Sequence, residues 1–178
     1  MAAPAFNLTA EALRNAMILY VDVSEQTGSW SATSAVWEPQ GYKTEDAALE
    51  FNPDTTTVTD ILGDTYATVN SLERQMSFDP NTLRPIANRG KLNEILHEYV
   101  RRNELSKLSE FKIMIAYGYT GTVGTSHEAD IYPLSTIEPT SLGGSSRVDF
   151  PFNIHLGGEA IFGTVNQMLP APTFTQEA

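Results

Sequence analysis

Residues 147–156 (R-V-D-F-P-F-N-I-H-L) alternate throughout, with Val148, Phe150, Phe152, Ile154 and Leu156 on one side and Arg147, Asp149, Asn153 and His155 on the other. Period two over that length predicts a strand with one face in a core and one in water. Gly157-Gly158 then predicts a turn into a further strand over 159–167. The same reading places strands at 16–23, 47–51, 56–62, 66–78, 111–119 and 129–137. Turns fall at Asn52-Pro53-Asp54, Gly63-Asp64, Asp79-Pro80, 118–124 and 142–146, where Gly, Pro, Asn and Asp concentrate. Neither parity of 66–78 is cleanly apolar, so its polar face is either Asn70 and Arg74 or Ser71 and Glu73.

One helix stands out. Leu92, Ile95, Leu96, Tyr99 and Val100 recur at helical spacing within 88–103, with Lys91, Glu94, Glu98, Arg101 and Arg102 on the remaining faces. A shorter helical turn, capped by Thr9, is expected over 9–15. Residues 24–44 are rich in Ser, Thr and Gly yet hold Trp30, Trp37 and Tyr42, which predicts a long loop with hydrophobic anchors. Residues 169–178 lack periodicity and carry Pro170 and Pro172, as a C-terminal arm would. About eight strands and one helix make an α+β, mainly β domain over 1–168: a β-sandwich or half-barrel with one flanking helix.

Composition narrows the function. The chain of 178 residues carries 22 Asp and Glu against 11 Lys and Arg, a net charge of −11. Phosphate binding needs clustered cations, and the longest Lys/Arg run is Arg101-Arg102, so tight DNA binding is not expected. An acidic surface instead lets DNA pass without sticking. With no cysteine there is no disulfide framework, thiolate nucleophile or zinc-thiolate site. The N-terminal residues lack the pattern of a secretion signal, and the apolar run 17–23 is too short to span a bilayer. Neither export nor membrane insertion is expected.

Catalytic chemistry is sparse. His97, His127 and His155 are dispersed, and Glu94 with His97 forms a single E-x-x-H pair where di-metal sites need two and further glutamates. Gly118, Gly121 and Gly124 lack the G-K-[ST] ending of a phosphate loop. Ser145 and Ser146 sit in a glycine turn without the G-x-S-x-G elbow. No cofactor, metal or enzymatic activity is expected. Trp30, Trp37 and Tyr42 fit a subunit interface, where aromatic residues concentrate. They also fit sugar stacking in a carbohydrate-binding or adhesin module, which is the alternative reading.

Residues 57–80 (T-V-T-D-I-L-G-D-T-Y-A-T-V-N-S-L-E-R-Q-M-S-F-D-P) resemble a segment of the major tail (tail tube) proteins of long-tailed bacteriophages, in which T-D-I-L-G leads into a strand ending S-F-D-P. Residues 139–165, with P-T-S-L-G-G, V-D-F-P-F-N-I-H-L-G-G and G-T-V, are similar to that family's closing hairpin. The opening L-T-A-E-A-L-R-N-A-M-I-L-Y-V-D-V and the helix with R-R-N-E-L-S-K-L-S-E agree in order.

The resemblance implies a tail-tube fold in a virion structural protein, assembled in the bacterial host cytoplasm. It implies homo-hexamer rings stacked into a hollow conduit for DNA ejection, with tape-measure and tail-terminator or baseplate proteins as partners. Rings would also hide strand edges that a monomer leaves open. On this reading Asp149 and Asn153, with Asn70 and Glu73 among the residues of the second strand, are candidates to face the lumen. Trp30, Trp37 and Tyr42 are candidates for the subunit interface.

Overall fold

The computed structural model describes residues 17–24, 29–40, 48–79, 81, 90–122, 126–143, 148–169 and 172–177. The expected helical turn over 9–15, and Tyr42, lie outside them. Among the described residues are nine strands: β1 (Ile18–Asp22), β2 (Trp37–Pro39), β3 (Glu50–Thr59), β4 (Thr65–Phe78), β5 (Phe111–Thr122), β6 (Ser126–Pro139), β7 (Phe152–His155), β8 (Ile161–Val165) and β9 (Phe174–Gln176). They form one antiparallel sheet in the order β2-β1-β5-β6-β7-β4-β3, with β8 on β6 and β9 on β8. The fold is mainly β with one α-helix, α1 (Lys91–Arg102).

The central strands are buried on both faces. In β1, Leu19 and Val21 join one core cluster while Tyr20 joins another; in β5, Ile113 and Ile115 join the first while Met114 and Ala116 join the second. Strands buried on both sides read as continuous apolar runs, which accounts for I-L-Y-V and I-M-I-A. Leu92 and Leu96 of α1 are fully buried against the first cluster, with Phe78, Phe152 and Ile154.

The helix begins on a carboxylate that lies far off in sequence. Glu38 of β2 accepts hydrogen bonds from Gly90 N (3.0 Å), Lys91 N (2.9 Å) and Leu92 N (3.3 Å). These are orphan donors of the first turn, and a capping oxygen there contributes about 1 kcal/mol, aided by the helix dipole. Asn103, with φ 57°, ends the helix in the left-handed conformation.

Several expectations are corrected. Among the described residues of the segment 147–156, only Phe152–His155 is strand. Pro151 has no N–H to donate, and Val148 is exposed although its parity partners Phe150, Phe152 and Ile154 are buried. The turn at Gly157-Gly158 does not close a hairpin: β7 pairs with β4 and β6, whereas β8 pairs with β6 and β9. The two strands follow one another along the same edge of β6, at Thr136–Pro139 and His127–Ile131. Asn52-Pro53-Asp54 is not a turn but lies within β3, and Ile61 and Leu62 lie beyond the end of that strand. Gly118 belongs to β5, which runs on to Thr122. Of the segment expected as a C-terminal arm, Phe174–Gln176 pairs with β8, and Phe174 is buried.

Candidate assembly surface

β3 and β4 pair from Glu50/Gln75 to Thr59/Thr65, and every residue of β3, with β4 as far as Glu73, is exposed. Eight residues from Asn52 to Thr59 span roughly 27 Å at 3.4 Å per residue, so the pair projects as a two-stranded ribbon. Asp60 closes its tip. The Asp60 carboxylate accepts from Leu62 N (2.8 Å) and Asp64 N (3.0 Å), and Gly63 takes the positive φ of 87° that the turn requires. Ile61 and Leu62 stand at the apex, 102% and 82% exposed.

The register shifts between Asp54 and Thr55, where β4 holds one extra residue, Asn70. This bulge explains why neither parity of β4 is consistently apolar. On the tip side of it Thr68 shares a face with Thr56; on the base side Ser71, Glu73 and Gln75 share that same face with Asp54, Asn52 and Glu50. Asn70 donates to Thr56 Oγ1 (2.7 Å) and Asp54 Oδ2 (3.3 Å), which places it there too.

The polar face continues across the sheet. Gln75 pairs with His155 and Ser77 with Asn153, and these pair with Thr136 and Glu138. Ser77 Oγ donates to Asn153 Oδ1 (2.8 Å), and Gln75 Nε2 to Glu50 Oε2 (2.8 Å). Glu50, Asp54, Glu73 and Glu138 share this surface, and no lysine or arginine occupies any of its registered positions. Thus three of the four lumen candidates, Asn70, Glu73 and Asn153, lie on one acidic face. Asp149 does not share that register: it forms an isolated bridge with Gly143.

The opposite face continues the core side. Met76 and Phe78 are buried, and the same face runs outward through Arg74, Leu72, Phe51 and Pro53 to Val69 and Ala67. Phe51, Leu72 and Val69 are exposed. A recess of about 500 Å³ opens at the ribbon's root, lined by Met17, Leu49, Phe51, Tyr117, Tyr119, Thr120 and Glu128.

Beside the recess the Tyr117 hydroxyl donates to Asp130 Oδ2 (2.9 Å), and the Arg74 guanidinium sits over the Tyr132 ring at 6.0 Å. Burial pushes the Asp130 carboxyl above its ordinary range, opposed by the Tyr117 hydrogen bond and Arg74 and reinforced by Glu177. Glu128 is raised by burial first, then by Asp130 and Glu177. Burial, followed by the charge of Asp130, raises the Tyr117 and Tyr132 phenols, which therefore stay protonated. A carboxyl whose folded pKa is raised adds stability in acid that is lost as pH rises through that pKa. Asp130→Asn is therefore expected to melt above the parent at neutral pH and to converge with it toward pH 4, about the unperturbed Asp value. Melting curves across that range check it; a variant less stable at neutral pH would reverse the sign.

Trp30 and Trp37 fasten the loop between β1 and β2 to the chain's own body. Trp37 is 8% exposed within the second core cluster, and Trp30 packs edge-on against it at 6.4 Å while donating to Asp22 Oδ2 (2.7 Å). Among the described residues, no three His, Cys, Asp or Glu side chains are grouped to hold a metal ion, and no helix is long and apolar enough to cross a membrane.

No protein-family model matches the chain, and no curated protein matches it. Among solved structures the chain is similar to the sheath/tube terminator of the extracellular contractile injection system PVC in its extended state. Identity there is 12% and the TM-score 0.45, over 90% of this chain and 99% of the other. It is also similar to the tube-terminating cap of the anti-feeding prophage, at 14% identity and TM-score 0.46 over 92% and 95% of the two chains. A third similarity is to the PVC sheath–tube complex, at 9% identity and TM-score 0.40 over 90% of each chain.

Two residues of the ribbon tip are missed as candidates when the sequence is read for strands. Ile61 and Leu62 read as the end of an alternating strand, yet they crown the tip. The signal available was D-I-L-G-D, two aliphatic residues enclosed by turn-forming aspartates and a glycine.

Proposed function

We propose that this chain is the repeating structural subunit of a phage-tail-like tube. Copies join into six-membered rings, the rings stack, and the acidic polar face of β3, β4, β7 and β6 lines the bore. The observation that carries the reading is the ribbon. A two-stranded hairpin is marginal in water by itself, and this one exposes Phe51, Val58, Tyr66, Val69 and Leu72 as well as both strand faces. Such an element is stabilised when a neighbour covers its apolar face while the acidic face stays open to the bore, and that face, with the tip, would contribute to the roughly 800 Å² per partner of a stable interface. The outer edge of β3, unpaired among the described strands, is a further joining surface.

The bore follows from electrostatics. Duplex DNA carries about one negative charge per 1.7 Å, so a cationic wall would hold it and an acidic, amide- and hydroxyl-bearing wall would let it move. Six-fold symmetry, tape-measure and terminator partners, and a place in the tail of a virion or related particle come with the tail-tube resemblance of residues 57–80 and 139–165. The carbohydrate-binding alternative loses its main support, because the Trp37 ring is taken up by the chain's own core.

Electron microscopy of the purified full chain at rising concentration tests the proposal. Hollow tubes or stacked rings with six-fold end views are the expected result. Single rings that never stack would instead make the chain a ring that ends a tube. A monomer at every concentration, also in the presence of preformed tail-tube ends, would overturn the reading.

A further inference from the structure

Resting on that reading, we propose that Ile61 and Leu62 at the ribbon tip of one copy insert into the recess lined by Met17, Leu49, Phe51, Tyr117 and Tyr119 of the next copy. The two halves of the contact match in chemistry. The tip presents adjacent aliphatic side chains to water on a turn fixed beforehand by Asp60, so little ordering is lost when it is buried. The recess is lined by one aliphatic residue, Leu49 (two counting the thioether-bearing Met17 as such), three aromatic rings, one threonine and a single carboxylate. At about 500 Å³ it lies within the roughly 300–1,000 Å³ range of pockets that bury compact apolar groups. A second cleft, of about 810 Å³, between α1 and the start of β5 suits the tip less. Asp22, Lys91, Glu94, Glu98, Lys107, Glu110 and Lys112 line it, and an aliphatic knob there would strip water from charges.

The geometry makes the occupant another copy. Phe51 stands at the ribbon's root and lines the recess, whereas the tip lies about ten residues farther along, on the order of 30 Å away. The tip therefore does not reach the recess of its own chain. A patch that fits a pocket elsewhere on the same molecule gives a head-to-tail contact, which propagates into rings or filaments and does not stop at a dimer. The tip carries Asp60 and Asp64 and the recess carries Glu128, so the contact is apolar against a like-charge background. It should tighten as salt screens that repulsion, opposite to an ion-paired interface.

The chain has no cysteine, which allows a direct test. Leu62→Cys protein is mixed with Tyr119→Cys protein under assembly conditions and oxidised, with Val100→Cys, at an exposed position of α1, as the partner in a control mixture. The expected result is a disulfide dimer from the first mixture and none from the second, since bridging requires Cβ atoms about 4 Å apart. A Leu62→Cys/Tyr119→Cys double variant should give a ladder of cross-linked multimers, and the yield should rise with added NaCl. Ile61→Ser/Leu62→Ser in the cysteine-free chain should lose assembly while keeping the parent's melting temperature. Rings or tubes that form without any Leu62–Tyr119 cross-link would overturn this contact and leave the tube reading standing. If neither cross-links nor assemblies form under any condition, both fall.

Discussion

Excision of residues 53–72, with an Asn-Gly turn joining Asn52 to Glu73, is expected to leave a folded monomer that no longer assembles. Asn52 and Glu73 face each other in the register, and Asn-Gly is the favoured two-residue hairpin loop at such a pair. Every residue removed from β3 and β4 is exposed, and Met76 and Phe78, which anchor β4 in the core, remain. The melting temperature should therefore stay near that of the parent, because little apolar surface buried within the monomer is lost. Assembly should be lost altogether, since the excision takes away the tip, most of the overhanging apolar face and most of the free β3 edge. Light scattering and electron microscopy on the matched pair read both effects. Tubes built by the shortened chain would remove the ribbon from the interface. A large loss of stability would mean that the ribbon supports its own body after all.

The limits of the sequence reading follow from which interactions are local. The helix was legible because Leu92, Ile95, Leu96 and Tyr99 mark one face within a dozen residues, and all four pack on the core. The long strand over 66–78 was legible by length and composition, but its faces were not, because the bulge at Asn70 moves the polar side from one parity to the other. Asn52-Pro53-Asp54 signalled a turn. In the structure Pro53 sits in a strand at the end of the sheet order, where a missing N–H costs no ladder bond on the outer edge. The alternation of 147–156 was real at Phe150, Phe152 and Ile154, yet Pro151 confines regular pairing to Phe152–His155. The capping of α1 by Glu38 spans more than fifty positions and has no local signature.

The candidate site divides in the same way. Strand parity puts Asn70 and Glu73 on opposite faces of 66–78, and it is the bulge at Asn70 that brings both to the side on which Asn153 lies through its pairing with Ser77. Residue type is what marks Trp30 and Trp37 in the sequence, and type alone does not tell an aromatic that joins subunits from one that holds a loop to its own core. The ribbon's exposure is a tertiary fact, because the same alternation would describe a strand with a covered face.

Gly157→Ala is expected to be among the most damaging single substitutions in the body. β7 and β8 share one edge of β6, so the chain between them must cross that edge where it changes partners, at Pro133 and Leu134. It crosses backbone to backbone. Leu134 N donates to Gly157 O (3.2 Å), Gly157 N donates to Ser135 Oγ (3.3 Å), and a Cβ on Gly157 would stand 2.3 Å from the Leu134 carbonyl oxygen. A carbonyl inside a strand cannot swing aside as a flexible side chain can, so relief requires β6 and the turn to separate. That movement strains the pairing of β6 with both β7 and β8. Overpacking of this kind costs roughly 3 kcal/mol, which for a domain of this size lowers the melting temperature by about 6–12 °C. Gly63→Ala at the ribbon tip is the informative comparison. Its φ of 87° is unfavourable for alanine, but nothing lies within 4 Å of the added Cβ, so only the conformational cost of about 1 kcal/mol applies. Equal losses at the two sites would mean that the crossing at Leu134 has room to relax. A clearly larger loss at Gly157 would identify the close backbone approach, rather than glycine's conformational freedom, as what ties β7 and β8 to a single edge.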